Sequence, residues 1–260
     1  MKIFSVIGDP IMHSISPRMH NNAIAYFNEN AIYTRYHLQD YTNLKKIVKI
    51  FNGVNITIPF KEQAFDIADF KDQSVSEIKS ANTLIVKNNK IYAYNTDYLG
   101  FLKAIEEFKN IKSALILGAG GTSKAIAYAL KTKCIKTTIV NRSKERFLNF
   151  VDFPCYLYNQ LPLDENFDLI VNTTSAGLCD DNFPCKEELL NKLFTNSRYV
   201  FDVVYGKTTP FLKLAKKHSL KAKDGKDMLL WQGVYAFELF FENHNIKNIC
   251  KAMDEALQFC

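Results

Sequence analysis

The sequence predicts an α/β protein of two domains, the second a Rossmann-type dinucleotide-binding sheet. Three observations carry this. Apolar strand-like runs alternate with helix-like segments along almost the whole chain. One such run, Leu115-Ile116-Leu117, ends in the glycine turn Gly118-Ala119-Gly120-Gly121-Thr122-Ser123, and a helix-like segment follows. A later apolar run ends in Asn141-Arg142-Ser143-Lys144. The glycine turn opens a fresh βαβ unit near residue 113, so the nucleotide domain starts mid-chain. We expect residues 1–97 to form a first α/β domain that carries the substrate and the chemistry. Residues 98–225 form the Rossmann-type domain, and 226–260 are C-terminal helices that pack back on the first. Substrate and cofactor are expected to meet in a cleft between the domains, with hinges near 97–100 and near Gly225.

In chain order, the first half gives strands at 2–8, 32–38 and 54–58. Runs at 83–86 and 91–94 flank Lys87-Asn88-Asn89-Lys90, a hairpin turn in which asparagine tolerates positive φ. The second half gives strands at 113–117, 137–140, 169–171 and 199–203, with helices near 123–131, 186–192 and 210–218. The tail reads as two helices with an apolar face of Met228, Leu229, Ala236, Phe237, Phe240 and Phe241.

Composition narrows the classes. The chain has 260 residues, 47% of them apolar, enough for two cores. Its formal net charge of +6 is spread without a Lys/Arg block, so it points to no nucleic-acid partner and fits a mild attraction for anionic ligands. The cysteines are Cys134, Cys155, Cys179, Cys185, Cys250 and Cys260. None forms a C-x-x-C pair or stands beside histidine at a ligand spacing, so we expect reduced thiols, no metal and a cytoplasmic protein. The N-terminal apolar run is too short for a signal peptide, and no segment has the length to span a bilayer.

The glycine turn suits a pyrophosphate, and the second cluster says which dinucleotide it belongs to. NAD sites usually place Asp or Glu at the end of the second strand to bind the ribose 2′-hydroxyl. A carboxylate there repels a 2′-phosphate; this chain has Arg142, which favours NADP(H). Ser123 stands where the fingerprint has its third glycine, which implies slightly looser helix–strand packing. Asn172-Thr173-Thr174-Ser175-Ala176-Gly177 is either a plain loop or a second loop lining the cofactor.

In the first domain, Ser16 before Pro17 marks a helix start. Ser16 is then a cap, or Ser14 and Ser16 present hydroxyls to an anion at a helix N-terminus. In Val54-Asn55-Ile56-Thr57-Ile58-Pro59-Phe60-Lys61, Asn55 and Thr57 share the polar face and Pro59 ends the strand. Lys61 is a surface charge or, with its proton made labile by its surroundings, an acid–base group. Asn82 and Asp97 each suit a cap; taken with Lys61 they make a set that a small polyhydroxylated substrate requires.

These residues together resemble the shikimate dehydrogenase family. The matching motifs are Gly8-Asp9-Pro10, His13-Ser14-Ile15-Ser16-Pro17 with His20, Asn55 to Lys61, Ala81-Asn82-Thr83, Asn95-Thr96-Asp97, Gly118 to Gly121, Asn141-Arg142-Ser143, Tyr205 with Thr209-Pro210, and Asp224-Gly225 with Gln232. They stand in family order across residues 8–232. The resemblance implies reversible reduction of 3-dehydroshikimate to shikimate with NADPH, in chorismate and aromatic amino-acid biosynthesis, by a monomer or homodimer. It also implies roles. Ser14, Ser16 and Tyr205 hold the substrate carboxylate. Thr57, Asn82, Asp97 and Gln232 bind ring hydroxyls and the reacting oxygen. Lys61, paired with Asp97, is catalytic. Gly118, Ala119, Gly120, Gly121 and Thr122 contact the pyrophosphate. Asn141, Arg142, Ser143, Lys144 and Arg146 meet the adenosine 2′-phosphate, and Val203 and Gly225 lie near the nicotinamide. Two alternatives are an NAD-dependent quinate/shikimate dehydrogenase, which calls for an acidic adenosine turn, and a non-catalytic NADPH-binding module, which has no use for Lys61 and Asp97.

Overall fold

A computed structural model describes residues 1–162 and 164–258; Cys260 and the last two residues of the predicted 226–260 segment lie outside the described residues. In chain order the elements begin with β1 (Lys2–Gly8), α1 (Ser16–Tyr26), β2 (Ala31–His37), α2 (Leu44–Val48), β3 (Gly53–Ile56), α3 (Lys61–Ile67), β4 (Phe70–Lys71), α4 (Gln73–Ile78), β5 (Thr83–Lys87) and β6 (Lys90–Tyr94). They continue with α5 (Asp97–Ala104), β7 (Ser113–Leu117), α6 (Gly121–Thr132), β8 (Lys136–Asn141), β9 (Cys155–Leu157) and β10 (Leu169–Asn172). The last are α7 (Glu187–Thr195), β11 (Tyr199–Asp202), α8 (Pro210–Lys217), β12 (Lys221–Lys223), α9 (Lys226–Phe240) and α10 (Ile246–Leu257). The chain divides into two compact units, Met1–Gly100 with Leu229–Cys260, and Phe101–Met228. Among the described residues no helix is long and apolar enough to cross a membrane.

The first unit holds a mixed six-stranded sheet in the order β2-β1-β3-β5-β6-β4. β1 alternates as a strand buried on both faces must. Phe4 and Val6 face a core shared with Met19 and Ala23 of α1, Val234 and Phe237 of α9, and Ile249 and Met253 of α10. Ile7 faces the other core with Val48, Val54, Ile56, Ala64 and Leu84. Fully burying a side chain such as Phe237 contributes roughly 2–3 kcal/mol, so the tail helices are integral to this unit. The β5–β6 hairpin turns on Asn88 and Asn89, at φ 52° and 59°, the left-handed geometry that asparagine accepts and that matches strand twist.

Two local readings are corrected. Ser16 does not cap α1: it is the first helical residue, and Ser14 Oγ accepts its N–H at 3.4 Å. The strand predicted at 54–58 ends at Ile56, and Ile58 is exposed. Lys61, two residues past Pro59, is the first residue of α3.

His20 of α1 is fully buried, stacked on Tyr33 at 4.1 Å between ring centroids, and neither ring nitrogen has a hydrogen-bond partner. Burial lowers its pKa from 6.5 to about 3. The native state thus keeps His20 neutral where the unfolded chain takes up a proton. That stability is present above 6.5 and is lost as the pH falls towards about 3. Each unit costs about 1.4 kcal/mol, or about 2 kcal/mol between pH 6.5 and 5. Urea unfolding at a series of pH values is expected to show the stability of the wild type, relative to His20→Phe, falling by about 2 kcal/mol from pH 6.5 to 5, all other titrating groups being common to both. A difference that does not change with pH contradicts the assignment.

The second unit is an all-parallel sheet in the order β12-β11-β10-β7-β8-β9. The chain runs from β7 to β8 on one side and returns to β10 on the other, so the strand order reverses between β7 and β10. Ligands of open α/β sheets bind outside the carboxyl ends of the strands at such a reversal. The glycine turn leaves β7 there, and the Asn172–Gly177 segment leaves β10 beside it. The core under the sheet joins Leu115, Leu117, Ile170 and Val200 to Leu190, Phe194 and Phe211.

Candidate active site

In the first unit a polar cluster forms where α3, the segment before β5, α5 and α9 converge. Lys61 Nζ lies 2.6 Å from Asp97 Oδ2, with the two side chains only 12% and 8% exposed. A pair so poorly hydrated holds only with further hydrogen bonds on the carboxylate. Asn82 supplies one, its Nδ2 donating to Asp97 Oδ1 at 2.9 Å. The Asn82 amide cannot turn over, because its Oδ1 accepts the Thr96 N–H at 2.7 Å. Gln232 of α9 reaches Asn82 Nδ2 with its Oε1 at 3.4 Å and anchors its own Nε2 on the Leu229 carbonyl. Asp97 opens α5 and draws its N–H onto Asn95 Oδ1. Thr57 packs against the end of β1: a Cβ on Gly8 would stand 2.5 Å from Thr57 Cγ2, so only glycine fits there.

Ser14 and Ser16 form a separate pair at the start of α1, with their hydroxyls 3.3 Å apart. Arg35 holds the loop with two hydrogen bonds to the Ser14 carbonyl, at 2.8 and 2.7 Å. Tyr205 belongs to the second unit, in the segment between β11 and α8. Among the described residues no cluster of His, Cys, Asp and Glu is arranged to hold a metal ion.

The second unit carries a cavity of about 820 Å³ at the sheet reversal, bounded by Gly118, Ala119 and Gly120 on one side and Thr173 to Ala176 on the other. Gly118 has φ +110°, and a Cβ on it would stand 2.7 Å from Thr173 Oγ1. At Gly120 a Cβ would meet nothing within 4 Å, so the backbone is open to close approach by a ligand. Gly121 and Thr122 begin α6, whose first N–H groups have no intrahelical acceptor. Ser123 is fully buried rather than loosely packed. Its Oγ accepts the Gly120 N–H at 3.0 Å and pairs with Thr173 Oγ1 at 2.7 Å, tying the glycine turn to the opposite loop.

Asn141, Arg142, Ser143 and Arg146 line the far end of the cavity, and Asn141 Nδ2 donates to the Ser143 carbonyl at 3.0 Å. Lys144, exposed, follows in the same turn. The donor set fits a dinucleotide with two anionic groups: helix N–H groups and open glycine backbone for the bridging diphosphate, a guanidinium pair for a phosphate on the ribose. Val203 and Gly225 pack together, because a Cβ on Gly225 would overlap the Val203 carbonyl. Below them Asp202 fixes both loops. It accepts from Asn172 Nδ2, Thr209 Oγ1 and the Val204 N–H at 3.0, 2.6 and 3.1 Å, and burial raises its pKa to about 6.

Sequence reasoning missed the outer wall of the cavity, formed by Tyr158, Asp180, Asn182, Phe183, Pro184, Cys185, Lys186 and Glu187. Burial pushes the Cys185 thiol up to about 12, so it stays protonated, and raises the Tyr158 hydroxyl as well. The five described cysteines are free thiols.

Fold and site together define a class: an α/β protein that joins a parallel dinucleotide-binding sheet to a unit bearing a shielded lysine–aspartate pair. Comparison with known proteins makes this particular. Residues 6–84 match the shikimate dehydrogenase substrate binding domain. A shikimate dehydrogenase (NADP(+)) of Helicobacter hepaticus is 41% identical over 98% of this chain and 98% of its own length. The crystal structure of shikimate dehydrogenase from Aquifex aeolicus superposes with TM-score 0.84 at 33% identity, covering 99% of this chain and 98% of that one. A Thermus thermophilus shikimate 5-dehydrogenase, solved in complex with NADP(H) and shikimate, gives TM-score 0.83 at 30% identity over 98% of this chain and 100% of that one. The chain belongs to the shikimate dehydrogenase family.

Proposed function

We propose that this protein catalyses the reversible NADPH-dependent reduction of 3-dehydroshikimate to shikimate. The observation that carries the reading is the Lys61–Asp97 pair at 2.6 Å, held by Asn82. NADPH supplies the hydride when bound, so the protein's own task is to orient the reactants and manage one proton. The substrate oxygen gains negative charge as it is reduced, and the Lys61 ammonium stabilises that charge and delivers the proton to it. In the reverse direction Lys61 accepts the proton. Asp97 keeps the ammonium aimed.

Asn82, Thr57 and Gln232 bind the ring hydroxyls, and Ser14, Ser16 and Tyr205 take the carboxylate. Gly118, Ala119, Gly120, Gly121 and Thr122 hold the diphosphate. Asn141, Arg142, Ser143, Lys144 and Arg146 take the 2′-phosphate, and Val203 and Gly225 receive the nicotinamide. Residues 1–97 with 226–260 are then the substrate-binding and catalytic domain, and 98–225 the NADP-binding domain. The same reading makes this a cytoplasmic enzyme of chorismate and aromatic amino-acid biosynthesis, working as a monomer or homodimer on a small molecule, without nucleic acid, membrane or metal.

The test is turnover of NADP⁺ with shikimate against quinate. Clear preference for shikimate is expected. Equal or better use of quinate would move the protein to the quinate-type alternative, and tight NADPH binding without turnover of either would make it a binding module.

A further inference from the structure

Tyr33 lies on β2 and is 2% exposed, yet its hydroxyl does not end among apolar groups. It donates to Asn55 Oδ1 at 2.6 Å. β1 separates the two strands, pairing Phe4 with Tyr33 and Val6 with Asn55, so the tyrosine ring crosses β1 diagonally to reach β3. His20 stacks flat on that ring, 7° from parallel, and fixes its direction. Burial raises the Tyr33 pKa well above 10, so the hydroxyl stays a donor.

From Asn55 the donors run one way. The Asn55 amide is oriented by the Asn82 backbone carbonyl, which takes a hydrogen bond from Nδ2 at 3.3 Å; the same Nδ2 donates to Thr83 Oγ1 at 3.0 Å. Thr83 Oγ1, which accepts from Asn55, gives its own proton to Asn82 Oδ1 at 3.2 Å and lies 3.4 Å from the Thr96 hydroxyl. Asn82 Nδ2 then donates to Oδ1 of Asp97, the partner of Lys61, and to Thr96 Oγ1, each at 2.9 Å. The Asp97 carboxylate is hydrogen-bonded by Lys61 and Asn82, and the Asp97 backbone N–H donates to Asn95 Oδ1; Gln232 and Thr96 reach Asn82, and of these partners only Lys61 carries charge.

We propose that Tyr33 is a positioning residue for the substrate site: its hydroxyl heads a hydrogen-bond relay through Asn55 and Thr83 that joins the Thr96 N–H in holding the side-chain amide of Asn82. This rests on the reading of Asn82, Asp97 and Lys61 as substrate-binding and catalytic groups. Such a series strengthens each bond in it, since every donor is polarised by the one behind. Removing the hydroxyl leaves Asn55 Oδ1 buried without a partner, at 6% residue exposure. The Asn55 amide then relaxes at the expense of its bonds to Thr83 and Asn82, and the Asn82 N–H groups lose their aim.

Tyr33→Phe keeps the ring and the His20 stack and deletes only the oxygen. It is expected to raise KM for shikimate roughly two- to tenfold, the worth of one misaligned hydrogen bond, while KM for NADP⁺ stays unchanged. Thr83→Val cuts the relay further along and is expected to give the same split. The Asn82 side-chain amide signal, followed by NMR in the free protein, is expected to move in both variants. A lower Tm with wild-type KM for shikimate in both would mean a purely structural Tyr33 and overturns the proposal. If the wild type itself turns over neither cofactor, the proposed function fails. The Asn82 amide signal then still decides the relay, and an unmoved signal in Tyr33→Phe overturns it.

Discussion

Lys61→Ala is expected to lower kcat for shikimate oxidation by about 10²- to 10⁴-fold, the range that a positioned acid–base group contributes. The expectation follows from the site's economy of charge. Lys61 is the cation held against the Asp97 carboxylate at 2.6 Å, in surroundings where both side chains are almost dry. Alanine removes the proton source and the positive charge together, and leaves Asp97 without its counter-charge. NADPH binding should persist, because the glycine turn and the basic turn belong to the other compact unit. That binding doubles as the check that the variant has folded. Lys61→Arg separates the two parts of the role. Guanidinium keeps the charge but does not readily release a proton, so substantial turnover in Lys61→Arg would make the lysine's work electrostatic, and loss comparable to alanine would make it proton transfer. Full turnover in Lys61→Ala contradicts both.

The second large effect is expected at the other end of the cofactor. Arg142→Ala should reduce kcat/KM for NADP⁺ by about 10- to 150-fold, the worth of a hydrogen bond to a charged phosphate. kcat/KM for NAD⁺, which has no 2′-phosphate, should stay within about twofold. Arg146 lines the same cavity and supplies residual attraction, so the loss is bounded. Steady-state kinetics with both cofactors reads it directly. Equal losses for both would mean that Arg142 supports the turn rather than reading the phosphate.

Much of this was legible in the sequence, because it is local. An apolar run marked β1, alternation marked β3, Asn88 and Asn89 marked the hairpin, and glycines after an apolar run marked the turn into α6. Arg142 was informative for the same reason: its meaning depends on its place at the end of β8. What escaped depends on contacts between distant segments. Tyr158, just after the edge strand β9, and Phe183 and Lys186, before α7, line the cavity far along the chain from the glycine turn, and nothing in their own neighbourhoods announces it. Tyr33 lies within the strand predicted at 32–38, and no local signal singles it out; its link to Asn55 needs the register of three strands. Ser16 misled for a local reason: the Ser14 hydroxyl two residues earlier takes the N–H that the helix start exposes, so Ser16 has no capping bond to make. Ser123 misled through size. A hydroxyl in place of a third glycine does not loosen the turn when it can bond Gly120 and Thr173 at once.

The measurement that bears most directly on the whole reading is absorbance of the reduced nicotinamide when the purified protein meets shikimate with NADP⁺ or with NAD⁺. Rapid reduction of NADP⁺ with little use of NAD⁺ is the predicted result, joining the Lys61–Asp97 pair and Arg142 in one activity. Reduction of neither cofactor, by protein that is folded and binds NADPH, would contradict it.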